Sequence, residues 1–213
     1  MKTKLVVLLL TVCMALSAQE SPSYAIDRNH DADRPYPKTI SVKTNAAAMA
    51  LFIFNVAGEI DLCPNVTFNL PIYYTALNYF HYETKFRMLS FQPEVRYFLP
   101  GAKGMFMGGH FALTYFNMAF HGDWRYQDTD RRTPAWGGGV SIGYRQPFPK
   151  NPRWFMEFAI GLGVYDVHYD MFVNKPNGRL AYHDKHKTYF GPDQLCITFG
   201  YSFDWHKPKS HEK

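Results

Sequence analysis

Charged side chains are few in this sequence, and several stand where apolar and small residues surround them: Lys43, Glu59, Asp61, Glu94, Arg96, Arg145 and Glu157. Three cations and four carboxylates so placed have two uses. They can pair, each carboxylate staying ionised by accepting hydrogen bonds from a guanidinium or ammonium group, or they can supply acid, base and nucleophile to a reaction. Nine His add a metal reading, for which His183 and His186, joined by Asp184 and His168, offer the best spacing. A zinc site needs three or four ligands at fixed distances, which a His pair three apart in a loop does not supply. No metal is therefore expected, with His168, His183 and His186 as its weak candidates. Trp124, Arg125, Tyr126, Arg131 and Arg132, mixed with Asp123, Asp128 and Asp130, are residue types favoured at recognition surfaces and at a lipopolysaccharide headgroup layer. A hydrolase would need a Ser/His pair at a lipid-facing rim, and neither Ser141 nor Ser202 has a His beside it in sequence. Gly137 to Gly139 open a strand and not a helix, so they make no phosphate-binding loop. Catalytic residues and cofactors are expected to be none.

The elements that position these groups show a period of two. Leu195, Ile197, Phe199, Tyr201 and Phe203 alternate with Cys196, Thr198, Gly200, Ser202 and Asp204. Trp154 to Val164 and Trp136 to Tyr144 alternate in the same way, as do Leu89 to Tyr97 and, more weakly, residues 107–115, 68–74 and 56–62. With the Ala-rich stretch 40–51 this predicts eight strands. Connections at 63–65, 100–103 and 147–153 are short and rich in Pro and Gly, whereas 79–84, 121–134 and 166–187 are mostly long and polar. Short turns at one end and long loops at the other are the pattern of an outer-membrane barrel. The polar faces hold mainly Gly, Ser, Ala and Thr, which suit a crowded lumen better than a water-facing surface. Aromatics gather near both strand ends, as two bilayer interfaces require. The fold class expected is all-β: an eight-stranded antiparallel transmembrane β-barrel of outer-membrane type, with the seven charged residues named first facing its lumen as a structural ion cluster. A filled lumen gives substrate no access, so the cluster is read as structural and the protein as not an enzyme.

The 213 residues, 46% hydrophobic and 19% charged, exclude a disordered chain. A mean hydropathy of −0.30 with 17% aromatics argues against a bundle of membrane helices. A formal charge of +5 invites nucleic acid, yet no long Lys/Arg run exists, and removing Lys2 and Lys4 lowers it by two. Residues 1–18 read as a signal peptide, with a basic start, an apolar run and small Ser17 and Ala18. Residues 19–39 form a polar, Pro-punctuated periplasmic leader, 40–205 the barrel and 206–213 a polar tail. Cys196 lies about halfway down the last strand and Cys63 at a turn, which at roughly 3.3 Å per residue separates them by more than a disulfide spans. Two free thiols are expected.

Lys43-Thr44-Asn45, Asn55-Val56-Ala57-Gly58-Glu59, Gln92-Pro93-Glu94-Val95-Arg96-Tyr97, Gly137 through Tyr144, and Tyr189-Phe190-Gly191-Pro192 together resemble the Bacteroidota outer-membrane proteins grouped as domain of unknown function 3575. The resemblance covers residues 43 to about 204 and departs from the family pattern in the Ala-rich first strand. It implies a small outer-membrane barrel and, for some members, a genetic neighbourhood of surface fimbriae. It brings no activity. The expected function is envelope structure or surface recognition and adhesion through extracellular loops, by a monomer among outer-membrane lipid and lipopolysaccharide, with a surface or fimbrial protein as possible partner. A fimbrial assembly factor and a membrane-embedded lipid-modifying enzyme are the alternatives.

Overall fold

The computed structural model describes residues 39–78, 83–120 and 122–204. The expected signal peptide, nearly all of the leader, the tail and most of the 79–84 connection lie outside the described residues. The elements are β1 (Thr39–Asn45), α1 (Ala46–Ala50), β2 (Phe54–Cys63), β3 (Val66–Asn78), β4 (Thr84–Phe91), β5 (Glu94–Phe98), β6 (Met105–Phe120), β7 (Trp124–Asp128), β8 (Ala135–Phe148), β9 (Asn151–Val173) and β10 (Leu180–Asp204). Every pairing between them is antiparallel. β1 pairs with β2 on one side and β10 on the other, which closes the sheet on itself.

Two strand positions in this ring are each shared by two segments. β4 pairs with the far half of β3 and β5 with its near half, and both then pair with β6. Gln92-Pro93 separates them, because Pro93 has no N–H for the ladder. The Pro93 carbonyl still accepts from the Phe111 N–H at 3.0 Å. β7 and β8 likewise share the place between β6 and β9, separated by an excursion over 129–134 in which Asp130 and Arg131 adopt positive φ. The ring therefore has eight strand positions, at the places where the alternation predicts strands.

The two faces of the ring invert the usual distribution of polarity. Ile160, Phe190, Leu195 and Val140 are 60–74% exposed on the outside, while Glu59, Glu94, Glu157 and Asn69 are at most 2% exposed inside. Period-two alternation places one kind of residue on each face. Small inward residues make room for the large ones: a side chain on Gly108 would overlap the Glu94 carboxylate and the Ser141 hydroxyl, and one on Gly200 would overlap the Phe155 ring.

The Ala-rich stretch departs from the expectation of a strand over 40–51. β1 ends at Asn45 and residues 46–50 form a helix. The Asn45 Oδ1 accepts from the Ala47 N–H at 3.0 Å and the Ala48 N–H at 3.4 Å, an N-cap on a segment of high helix propensity. The same oxygen accepts from the Ile197 N–H at 3.2 Å, and Asn45 Nδ2 donates to the Leu195 carbonyl at 3.2 Å. One side chain thus starts the helix and occupies the edge of β10 where β1 stops. Asn45→Ala is expected to cost about 2 kcal/mol, from a lost cap and orphaned strand-edge groups, read as a lower denaturant midpoint with an unchanged slope.

Of the connections expected as loops, 121–134 is strand in part and 166–187 is largely strand. β7 occupies part of the first. The second continues β9 and β10 as one long hairpin that turns between Val173 and Leu180.

Candidate functional site

Five strands contribute to one interior ion network. Lys43 comes from β1, Glu59 from β2, Glu94 and Arg96 from β5, Arg145 from β8 and Glu157 from β9. Lys43 Nζ lies 2.6 Å from Glu59 Oε2 and 3.2 Å from Glu157 Oε2. Arg96 reaches all three carboxylates: Nε donates to Glu94 at 2.7 Å, and Nη1 to Glu157 at 3.1 Å and Glu59 at 3.3 Å. Arg145 Nε donates to Glu157 at 2.6 Å, and its Nη2 to Glu59. Three cations thus balance three carboxylates. Asn69 Nδ2 (3.1 Å) and the Ser141 hydroxyl complete the coordination of Glu94. Asp61, grouped with these residues on the sequence, accepts from the Thr39 N–H at 3.0 Å and its hydroxyl at 2.6 Å, nearer the turn end.

Aromatic rings hold the guanidinium planes. Arg96 stands 4.5 Å over Phe106, and Arg145 lies 4.8 Å from Phe98 and 4.4 Å from Phe155, all cation–π distances. The space left beside Lys43, Asn69, Tyr73, Glu94 and Cys196 amounts to about 20 Å³, roughly room for one water. An organic substrate does not fit there. Chemically, the arrangement braces five strands against one another, because moving any one of them separates a buried charge from its partner.

A second interior group has no forerunner among the candidates named from the sequence. Asp193 Oδ2 lies 2.6 Å from His110 Nε2 and accepts from the Tyr165 hydroxyl at 2.7 Å. His110 Nδ1 and Asp193 Oδ1 are buried without a hydrogen-bond partner. Asp193 is the extra residue at a register shift between Pro192 and Gln194, and such a bulge re-aims a side chain out of simple alternation. The inward phase of β6 would have found His110. A lone Pro192 does not announce the bulge.

On the long hairpin, the three candidate histidines divide between two groups. His168 and His186 are directly opposed across β9 and β10, their rings 4.8 Å apart, with Asp166 Oδ1 bonded to His186 Nε2. His183 belongs instead with Asp130 at 3.3 Å and Asp170 at 4.0 Å. Asp184, at a bulge with positive φ, accepts through its Oδ1 from His168 Nδ1 at 2.8 Å. That hydrogen bond raises the pKa of His168 and lowers that of Asp184, while Asp130 does the same for His183 by raising it. The expectation that these histidines sit in a flexible loop fails because the segment is paired strand.

The expected recognition loop is also partly built into the sheet. Trp124 is tilted against Tyr182 at 6.2 Å, Tyr126 meets Tyr169 edge-on at 5.8 Å, and Arg125 lies 4.5 Å over Phe172. Arg125 is therefore held by the sheet, whereas Arg131 and Arg132 are exposed on the excursion. Ser141 is bonded to Glu94 and Ser202 to Ser41 at 2.9 Å. Cys63 and Cys196 are free thiols.

A family described as protein of unknown function (DUF3575) matches residues 5–203 of the chain. No curated protein matches it.

Proposed function

Since the chain belongs to the DUF3575 family, whose description carries no activity, we propose from its geometry that it is a non-enzymatic outer-membrane β-barrel with a plugged lumen. Its protruding β7–β9–β10 sheet serves surface recognition. The observation that carries this reading is the outward row of β9. Trp154, Met156, Phe158, Ile160, Leu162 and Val164 follow one another on that face, and then Asp166 and His168 take the same positions. Ten residue steps make roughly 33 Å along a strand, or about 25 Å of height at a tilt near 40°, which is the thickness of an outer-membrane apolar band.

Other features support the same reading. Thr39 pairs with Asp204, so the described ring begins and ends beside the short turns, on the side that would face the periplasm. A leader cleaved after residue 18 would enter there. Trp154 and Tyr201, edge-on at 4.9 Å, would lie at the inner interface and Trp136 at the outer one. β9 at 23 residues is about twice the 9–11 needed to cross, so its second half would stand beyond the lipid among lipopolysaccharide headgroups. The non-enzymatic part rests on the filled interior and on the Ser141 and Ser202 hydroxyls being engaged with Glu94 and Ser41.

The protein is expected to fractionate with outer membranes, to migrate differently on a gel before and after boiling, and to leave planar bilayers without stable conductance. Recovery as a soluble periplasmic protein would refute the membrane reading. A steady open-channel current would refute the plug.

A further inference from the structure

Antiparallel pairing sets His168 and His186 directly opposite each other, and period two puts Asp166 on the same face as His168. One ligand atom from each of the three lies within 4.8 Å of the others. Both imidazoles turn Nε2 toward the same carboxylate: His186 Nε2 is bonded to Asp166 Oδ1, and His168 Nε2 stands 3.7 Å from Asp166 Oδ2. Tetrahedral zinc wants its donors about 3.4 Å apart, with Zn–N near 2.0–2.1 Å. Small rotations of three half-exposed side chains on a rigid ladder close that difference.

We propose that Asp166, His168 and His186 form a binding site for a divalent transition metal of zinc-like preference. Two imidazoles and one carboxylate form a donor set suited to zinc, leaving a fourth position for water. A separate observation supports ligation over simple ion pairing: His168 Nδ1 lies 2.8 Å from Asp184 Oδ1. A metal-binding imidazole characteristically donates its other ring N–H to a carboxylate, which fixes the tautomer and aims the free Nε2 at the metal. Asp184 is itself held, its N–H donating to Asp170 Oδ1 at 2.9 Å. Asp170 also accepts from the Asp130 N–H at 3.1 Å, so the neighbouring group of Asp130, Asp170 and His183 has its central carboxylate committed to backbone and is not the site. The inference concerns the hairpin alone and does not depend on whether the ring spans a membrane.

The test uses the full chain folded in detergent, without a polyhistidine tag and stripped of metal, titrated calorimetrically with zinc chloride and followed by cobalt(II) absorption. One equivalent is expected to bind in the micromolar range or tighter. The double variant His168→Ala/His186→Ala should lose at least 100-fold in affinity. Asp184→Asn should lose 10- to 100-fold, the usual cost of removing such a supporting carboxylate, and His183→Ala should stay within about threefold. Should the double variant fail to fold, diethylpyrocarbonate labelling of the native protein decides the matter, with zinc protecting His168 and His186 and leaving His183 reactive. No stoichiometric binding, binding that survives the double variant, or protection of His183 in place of the other two would each overturn the assignment.

Discussion

Replacing Arg96 by Met should destabilise the folded ring by about 3–5 kcal/mol, the usual cost of removing one partner from a buried ionic cluster. The side chain keeps comparable length and its place against Phe106, so little of the loss comes from packing. What changes is charge. Glu59, Glu94 and Glu157, each at most 2% exposed, would face only Lys43 and Arg145, and Glu94 would lose its 2.7 Å guanidinium contact. Adding Glu94→Gln restores the balance of charge and should recover part of the loss. The double variant separates this from a local defect, because coupled residues depart from additivity whereas independent ones do not. Equilibrium denaturation in lipid vesicles or micelles gives the comparison. An Arg96→Met midpoint equal to that of the unmodified protein would show that the network does not brace the ring.

The second large effect concerns the outer face. Ile160 is 60% exposed, between Ile142 at 43% and Leu195 at 68% on the flanking strands, and lies near the middle of the apolar row from Trp154 to Val164. On a water-facing sheet Ile160→Arg would be nearly neutral, within about 0.5 kcal/mol. In a bilayer it sits at the midplane, where an arginine costs about 2–4 kcal/mol. Leu180→Arg serves as the control, because Leu180 is exposed near the hairpin turn, above the proposed band. Folding both variants into phosphatidylcholine vesicles should give a large loss for the first and almost none for the second. Equal effects would remove the support for a bilayer around this ring.

The alternation that forms the ring is legible in the sequence because its two faces meet different surroundings. Leu195 and Phe199 are outside while Thr198 and Gly200 are inside, and that contrast writes itself as a period of two. The inward charges are legible for the same reason: Glu59, Glu94, Arg96, Arg145 and Glu157 fall at inward phase on strands whose other face is apolar. A buried charge needs a partner, so a pairing network follows from sequence before any distance is known. Which Arg meets which Glu does not, since that depends on where five strands stand around the ring.

Three features required the tertiary structure, each because a local signal was absent or misleading. Residues 46–50 are Ala-rich and sit in an alternating context; Asn45 caps them as a helix, and its reach to Leu195 and Ile197, 150 residues away or more, ends the strand there. Asp193 turns inward through a bulge that its neighbours do not announce. Most consequential is the hairpin over 166–187. Beyond the apolar row β9 still alternates, Asp166, His168 and Asp170 against Val167, Tyr169 and Met171, but on β10 residues 183–188 are polar on both faces, so the period-two contrast disappears on that strand and the segment reads as loop. Its backbone pairing is nonetheless continuous in kind with the strands below it. That pairing brings His168, from one strand, against His186, from the other, and separates both from His183. The sequence by itself determined a ring of strands with charge inside and apolar side chains outside, because the contrast between the two faces imposes a pattern on neighbouring residues. The long-range register decided which side chains meet across the ladder, because hydrogen-bonded backbones set it and those carry no side-chain signature where water bathes both faces.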